Sequence, residues 1–227
     1  MENPAAVHAK FSRRKIFWLI AILFSAVLLI LVFVFPPGDA ENIFSQKPQR
    51  VDEALLYSQS ADDPKLGNPN AKARLVEFGD FQCPYCRASF PVVREILQKY
   101  QGKIYFVYRD FPLFNIHPDS IKAAEAAGCA ANQDKFWAMH DKLFINQENL
   151  LVSDLKQYAS EIGLNVAAFN QCLDSGQQTA EVEGDYNDGI VWGVKATPTF
   201  FLNGYRIPGS IPRDVLIRLI DQALEEE

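Results

Sequence analysis

Two cysteines separated by two residues, Cys83-Pro84-Tyr85-Cys86, constrain this chain more than any other segment. An apolar run of strand character, Leu75–Phe78, ends just before them, and a helical pattern of apolar side chains follows as far as Tyr100. The spacing predicts that Cys83 lies at a helix N-terminus, where unpaired backbone N–H groups and the helix dipole stabilise a thiolate. Cys86 then lies one turn further on, close enough to form a disulfide with Cys83.

The chemistry indicated by this pair is thiol–disulfide exchange, because a thiolate is the form of cysteine that attacks a disulfide. A zinc site and a purely structural disulfide are the alternatives. Zinc usually takes four ligands, and its strong signal is two such pairs, whereas Cys129 and Cys172 stand alone. The strand before the pair, the helix after it and Pro84 between the thiols favour redox chemistry.

An apolar run near the N-terminus, Ile16–Phe35, contains no charged residue. As a helix it would be about 30 Å long, enough to cross a bilayer. Basic residues precede it, so the positive-inside rule puts residues 1–15 in the cytoplasm, a transmembrane anchor at 16–36 and everything later outside the cell membrane. The alternative is a cleaved signal peptide, whose apolar region is usually shorter and ends in small residues. Both interpretations export the cysteines to a compartment where disulfides persist.

The rest of the chain divides into a tether and a folded domain. Residues 37–66 hold scattered prolines and charges and are expected to be an extracytoplasmic tether, with the domain at 67–227. Strand, helix and strand signals between 73 and 108 predict a βαβ unit with a parallel strand pair. Helical periods fill about 117–194, and a hairpin at Asn203-Gly204 and an amphipathic helix follow.

Charge and histidine content exclude other classes of function. A net charge of −6 argues against nucleic-acid binding, which needs a clustered basic surface. His8, His117 and His140 are too dispersed for a metal site, and we interpret His117 as a capping or packing residue. We expect no metal and no organic cofactor.

Cys129 and Cys172 both fall on helical apolar stripes. They could be inert buried thiols, a structural disulfide or a second redox pair. We favour the structural disulfide, because two neighbouring thiols outside the membrane should oxidise.

Three segments together resemble a known family. They are Glu77-Phe78-Gly79-Asp80-Phe81-Gln82-Cys83-Pro84-Tyr85-Cys86; Gly128-Cys129-Ala130 with Lys135-Phe136-Trp137 and His140-Asp141; and Gly193-Val194-Lys195-Ala196-Thr197-Pro198-Thr199-Phe200-Phe201-Leu202-Asn203-Gly204. The set resembles the DsbA-like thiol:disulfide oxidoreductases, in the branch that includes membrane-tethered bacterial proteins, from about residue 64 to the C-terminus. The resemblance implies an α/β thioredoxin fold with an inserted helical subdomain, here preceded by one N-terminal transmembrane helix.

The resemblance also implies roles for individual residues. Cys83 would be the exposed, attacking cysteine and Cys86 the buried, resolving one. Pro198 would be a cis-proline beside the pair, and Glu77 a buried acid whose raised pKa lets it relay protons. Substrate contacts would come from Pro84, Tyr85 and Thr197.

The expected activity is the introduction of disulfides into reduced exported proteins. A membrane quinone-linked partner, DsbB-like or vitamin-K-epoxide-reductase-like, would reoxidise the pair. A reductase or isomerase is an alternative, since the Pro-Tyr dipeptide between the thiols also occurs in glutaredoxins. A non-catalytic metal-binding module is another, although no His or Met ligands lie near the pair in sequence.

Overall fold

The computed structural model describes residues 50–52 and 63–225, all within a compact unit that spans Pro48–Glu227. The predicted cytoplasmic segment, the anchor at 16–36 and most of the tether lie outside the described residues. Within the described part of the chain, no helix has both the length and the apolar character needed to cross a membrane.

Among the residues that the structure describes, five strands form one mixed sheet in the order β1-β3-β2-β4-β5. The strands are β1 (Lys65–Gly67), β2 (Ala73–Gly79), β3 (Ile104–Asp110), β4 (Thr199–Leu202) and β5 (Tyr205–Pro208). Strands β2 and β3 are parallel, and the other neighbouring pairs are antiparallel. The helices in the described part of the chain are α1 (Pro84–Lys99), α2 (Ser120–Ala131), α3 (Phe136–Ile145), α4 (Val152–Glu161), α5 (Val166–Ser175), α6 (Thr179–Val191) and α7 (Arg213–Glu225).

The central unit is β2–α1–β3, the parallel βαβ unit that the sequence predicts. Strand β2 is apolar on both faces because both faces are covered: Leu75 packs in one core cluster, and Val76 and Phe78 pack in another. Both parallel strands end at the same edge of the sheet. The segment that carries the two cysteines therefore begins at that edge. Helix α1 continues on both sides of its internal Pro91.

The helical insertion consists of α2 to α6, between β3 and β4. A disulfide between Cys129 and Cys172 joins α2 to α5, with an Sγ–Sγ distance of 2.00 Å and a Cα–Cα distance of 5.9 Å. This is the pairing that we favoured from sequence, and both residues are buried in the insertion.

The hairpin formed by β4 and β5 turns at Asn203-Gly204, where both residues have positive φ, 46° and 79°. The edge of the hairpin pairs with the chain far upstream, because the Val51 N–H donates to the Gly204 carbonyl at 2.9 Å. The domain boundary expected at residue 67 falls inside β1, and Asp63 just before it is buried. A three-residue strand is too short to give a periodic signal, so the ordered domain starts earlier than the sequence indicates.

Candidate active site

The two cysteines lie where the sequence places them. Cys83 is the N-cap of α1, Pro84 is the first residue of the helix, and Cys86 follows one turn on. Both cysteines are free thiols. Cys86 is fully buried, as the resemblance implied, but Cys83 is only 2% exposed, which corrects the expectation of an exposed thiol. The reason is the neighbouring loop, since the Cys83 sulfur lies 3.3 Å from the Thr197 carbonyl oxygen, to which it donates when it is protonated.

The Thr197 loop reaches Cys83 because of the sheet topology. Strand β4 runs antiparallel to β2, so the residues before β4 return to the edge where β2 ends. The Thr197–Pro198 peptide is cis. Residues that are 114 positions apart in sequence thus meet at the reactive sulfur.

The two thiols have opposite pKa shifts. The Cys86 thiol hydrogen-bonds to the Cys83 sulfur and lowers the pKa of Cys83 to about 6. The Thr197 side chain and the backbone N–H groups of Tyr85 and Cys86 also lower it, whereas burial acts in the opposite direction. Burial raises the pKa of Cys86 well above its ordinary value, and its hydrogen bond to Cys83 acts in the same direction. At neutral pH the reduced pair therefore holds one thiolate, on Cys83, and one thiol, on Cys86.

Glu77 supplies a buried carboxyl group near the pair. The residue is 2% exposed on β2, and burial raises its pKa to about 8, with a further contribution from the negative charge of Cys83. A carboxyl group with this pKa still holds a proton at neutral pH and can exchange it with a nearby thiolate.

Asp80 holds the turn that leads to the cysteines. Its backbone N–H donates to the Cys86 sulfur at 3.4 Å. Its carboxylate accepts hydrogen bonds from the N–H of Gln82 at 2.7 Å, the N–H of Leu113 at 2.8 Å and the Nδ1 atom of His117 at 2.7 Å. His117, which we interpreted as a capping or packing residue, thus connects the loop after β3 to the active-site turn. Asp80 lies in the motif that the sequence analysis quotes, but its hydrogen-bond partners Leu113 and His117 are distant in sequence and are brought to it by the fold.

Gln147, in the segment that follows α3, also contacts this turn. Its side-chain amide is buried and donates to the carbonyls of Phe81 and Cys83 at 2.7 and 2.9 Å. These contacts join the helical insertion to the active-site turn. Sequence reasoning missed Gln147, since a lone glutamine more than sixty residues away gives no signal.

Tyr85 is the exposed member of the motif. Its side chain is 66% exposed and Pro84 is exposed beside it. Both residues are therefore accessible to a molecule that approaches Cys83, at the positions where the resemblance implied substrate contacts.

A separate cluster of acidic groups has the spacing of a cation site. Carboxylate oxygens of Asp63, Glu181 and Asp185 lie within 4.8 Å of one another. The Arg109 guanidinium already pairs with Asp63 at 3.0 Å, Asp185 at 2.5 Å and Asp188 at 2.8 Å. Arg109 therefore supplies a buried positive charge within the protein. Sequence reasoning missed this ionic cluster, because its members come from distant segments.

Comparison with known proteins gives the family. The model of the family described as thioredoxin matches residues 59–222. The chain belongs to the thioredoxin family. Its structure is similar to that of a thioredoxin-like oxidoreductase from Silicibacter pomeroyi DSS-3, with a TM-score of 0.70, 26% identity, and 78% of this chain and 100% of that chain covered. It is also similar to the thiol-disulfide exchange protein alpha-DsbA2 from Wolbachia pipientis, with a TM-score of 0.66, 21% identity, and 74% and 92% covered.

The sequence is also similar to part of a much longer protein. It is 39% identical over 147 residues to the Na(+)/H(+) antiporter NhaA 3 of Salinispora tropica, which covers 65% of this chain and 22% of that protein. The chain spans about a quarter of the length of the curated relatives it matches. The thioredoxin fold with a helical insertion, which the motif resemblance implied, is thus confirmed, and the similar structures include a thioredoxin-like oxidoreductase.

Proposed function

We propose that this protein introduces disulfides into reduced exported proteins by thiol–disulfide exchange at Cys83 and Cys86. The observation that carries the proposal is the asymmetry of the pair: a cysteine with a pKa of about 6 at a helix N-terminus, next to a buried cysteine with a raised pKa. This asymmetry assigns attack to Cys83 and resolution to Cys86.

The reaction begins from the oxidised pair. A client thiolate attacks the Cys83 sulfur, the Cys83–Cys86 bond breaks, and Cys86 leaves as a thiolate. Glu77 is placed to give that thiolate a proton. A second client thiolate then attacks the client sulfur of the mixed disulfide and releases Cys83 as a thiolate, so that the client leaves oxidised and the pair reduced.

The direction of electron flow follows from the stability of the reduced form. A lowered Cys83 pKa stabilises the reduced pair relative to its disulfide, and a dithiol whose reduced form is stabilised is a better oxidant. The lowered Cys83 pKa therefore favours an oxidase over a reductase or isomerase.

The cellular setting that we propose rests on the apolar segment Ile16–Phe35. It would anchor the protein in the cell membrane with the cysteines on the extracytoplasmic side. There a quinone-linked membrane protein, DsbB-like or vitamin-K-epoxide-reductase-like, would reoxidise the pair, and tethering would raise its effective concentration for that partner.

The test uses the oxidised full-length protein and a reduced, unfolded client that contains cysteines. The wild type should transfer one disulfide per protein, whereas Cys83→Ser should transfer none. Reduced Cys86→Ser, mixed with the oxidised client, should form a mixed disulfide that dithiothreitol releases and that Cys83→Ser does not form. If Cys86→Ser traps no more client than Cys83→Ser, the assigned roles are wrong.

A further inference from the structure

Tyr108 carries a buried hydroxyl that no hydrogen bond explains. The side chain is 1% exposed on β3, and within the described residues its Oη atom has no hydrogen-bond partner. A buried polar atom without a partner destabilises the fold, and phenylalanine would fill the same space without that cost. The hydroxyl is therefore a candidate for a role in chemistry.

The hydroxyl lies on the side of the sheet that carries Glu77. Glu77 and Tyr108 are direct neighbours across the parallel β2–β3 pair. The Tyr108 ring covers Gly79, since a Cβ atom on that glycine would lie 2.5 Å from the Tyr108 Oη atom. Leu75 and Tyr108 belong to the same core cluster as Cys86. Cys86 and Glu77 both act electrostatically on the Tyr108 hydroxyl, and Glu77 acts on Cys86.

Glu77 has a matching unpaired atom. Its Oε1 atom is also buried and has no hydrogen-bond partner among the described residues. Two residues that are adjacent on one face of the sheet thus each carry a buried polar atom without a partner, a donor hydroxyl on Tyr108 and a carboxyl oxygen on Glu77.

We propose that Tyr108 is a positioning residue for the proton that passes between Glu77 and Cys86. The inference rests on the proposed function, because the proton moves only during thiol–disulfide exchange. When Cys86 leaves as a thiolate, the Glu77 carboxyl group transfers its proton to the Cys86 sulfur. The Tyr108 O–H then donates a hydrogen bond to the Glu77 carboxylate that remains. When exchange runs in reverse, the carboxylate takes the proton back and the hydrogen bond is released.

Other ionisable groups face this region and contribute to its charge. Cys83 and Cys86 approach from α1, Asp80 from the turn after β2 and Asp110 from the end of β3. The ring of His140 on α3 is 4.9 Å from the Tyr108 ring, and burial lowers the pKa of His140, so it is neutral at pH 7. Asp110 and Cys86 contribute more to the charge around the Tyr108 hydroxyl than Glu77 does, and Glu77 is its direct neighbour in the strand register.

The test compares Tyr108→Phe with Tyr158→Phe in the full-length protein. Tyr158, in the helical insertion, is also a buried tyrosine, but its hydroxyl has a partner, since it donates to the Asn149 carbonyl at 2.8 Å. The readouts are the rate at which dithiothreitol reduces the Cys83–Cys86 disulfide between pH 5 and 9, corrected for ionisation of dithiothreitol, and the thermal unfolding midpoint.

Tyr108→Phe should slow reduction at pH 7 about tenfold, the value of a hydrogen bond to a charged group. It should also raise the pKa of Glu77, and with it the midpoint of the pH–rate profile, because the Glu77 carboxylate loses its hydrogen-bond donor. Its unfolding midpoint should equal or exceed that of the wild type. Tyr158→Phe should show the opposite pattern, with a lower midpoint and an unchanged rate.

A double variant tests whether Tyr108 acts through Glu77. In a Glu77→Gln background, Tyr108→Phe should have no further effect on the rate. The proposal is overturned if Tyr108→Phe leaves the rate and its pH profile unchanged, or slows the reaction equally without Glu77. If the wild type does not exchange with dithiothreitol at all, the proposed function itself is wrong. The wild-type measurement therefore distinguishes failure of the proposed function from failure of the role proposed for Tyr108.

Discussion

At the scale of single residues, the chemistry depends on one ionised thiol in a buried pair. Cys83 is held at the helix N-terminus, and the Cys86 thiol hydrogen-bonds to its sulfur. The ultraviolet absorbance of the thiolate in the reduced protein should therefore titrate with a midpoint near 6.

The same titration in Cys86→Ala separates the causes of the shift. Loss of the Cys86 thiol should move the midpoint of Cys83 upward, toward its ordinary value. A wild-type midpoint near that ordinary value would contradict the assignment of Cys83 as the nucleophile.

Glu77 makes a separate prediction about stability. Folding raises the pKa of Glu77 from 4.5 to about 8. The stability that the protonated carboxyl group contributes is therefore complete below pH 4.5, and it is lost as pH rises from there through about 8. Glu77→Gln should therefore raise the free energy of unfolding at pH 7 by up to about 3 kcal/mol, and by little at pH 4. Denaturant unfolding at the two pH values measures the difference.

The matched control for this variant is Glu148→Gln, an exposed carboxylate paired with Arg87. It should change stability little at either pH. Equal stability of the wild type and Glu77→Gln at both pH values would mean that Glu77 is not buried as described.

At this scale local order predicts contiguous features, and the predicted placement of Cys83 and Cys86 at the start of a helix is confirmed. The burial of Glu77, which the family resemblance implied, is also observed, whereas the catalytic roles of these three residues stay predictions. Gln147 and Tyr108 contact the same region only because an insertion and a neighbouring strand bring them there. The low exposure of Cys83 depends on the Thr197 loop, which no local pattern reveals.

At the scale of elements, the helical insertion is held together by its own covalent link. The Cys129–Cys172 disulfide closes a loop of 43 residues between α2 and α5. In the chain-entropy model, replacement of both cysteines by alanine should lower the free energy of unfolding by about 4 kcal/mol. Denaturant unfolding of the variant and the wild type measures this loss.

Under conditions in which the variant is folded, loss of the Cys129–Cys172 disulfide should not change the redox chemistry of Cys83 and Cys86. A loss of thiol exchange in the folded variant would show that Cys129 and Cys172 take part in electron transfer and are not purely structural. The measurement thereby separates a structural disulfide from a second redox pair, two of the three possibilities that the sequence left open.

Most elements could be predicted because their periodicity and turn residues agree with the fold. The βαβ unit, the Asn203-Gly204 hairpin and the last helix all follow local patterns. Strand β1 and the pairing of residue 51 with the hairpin could not be predicted, because short edge segments are fixed by tertiary contacts.

At the scale of the whole molecule, the thioredoxin-family domain provides a single sheet edge where both parallel strands end and the Thr197–Pro198 loop returns. That edge brings together the nucleophile, the resolving thiol and the loop that covers them. The central claim is that this arrangement makes the reduced form favourable, so that the protein donates its disulfide.

The most direct test is the reduction potential of the Cys83–Cys86 pair in the full-length protein, equilibrated with glutathione buffers. The account predicts a value more oxidising than about −200 mV, toward the −120 mV of DsbA. A value near −270 mV, that of thioredoxin, would contradict it and would mean that the protein removes disulfides from its clients.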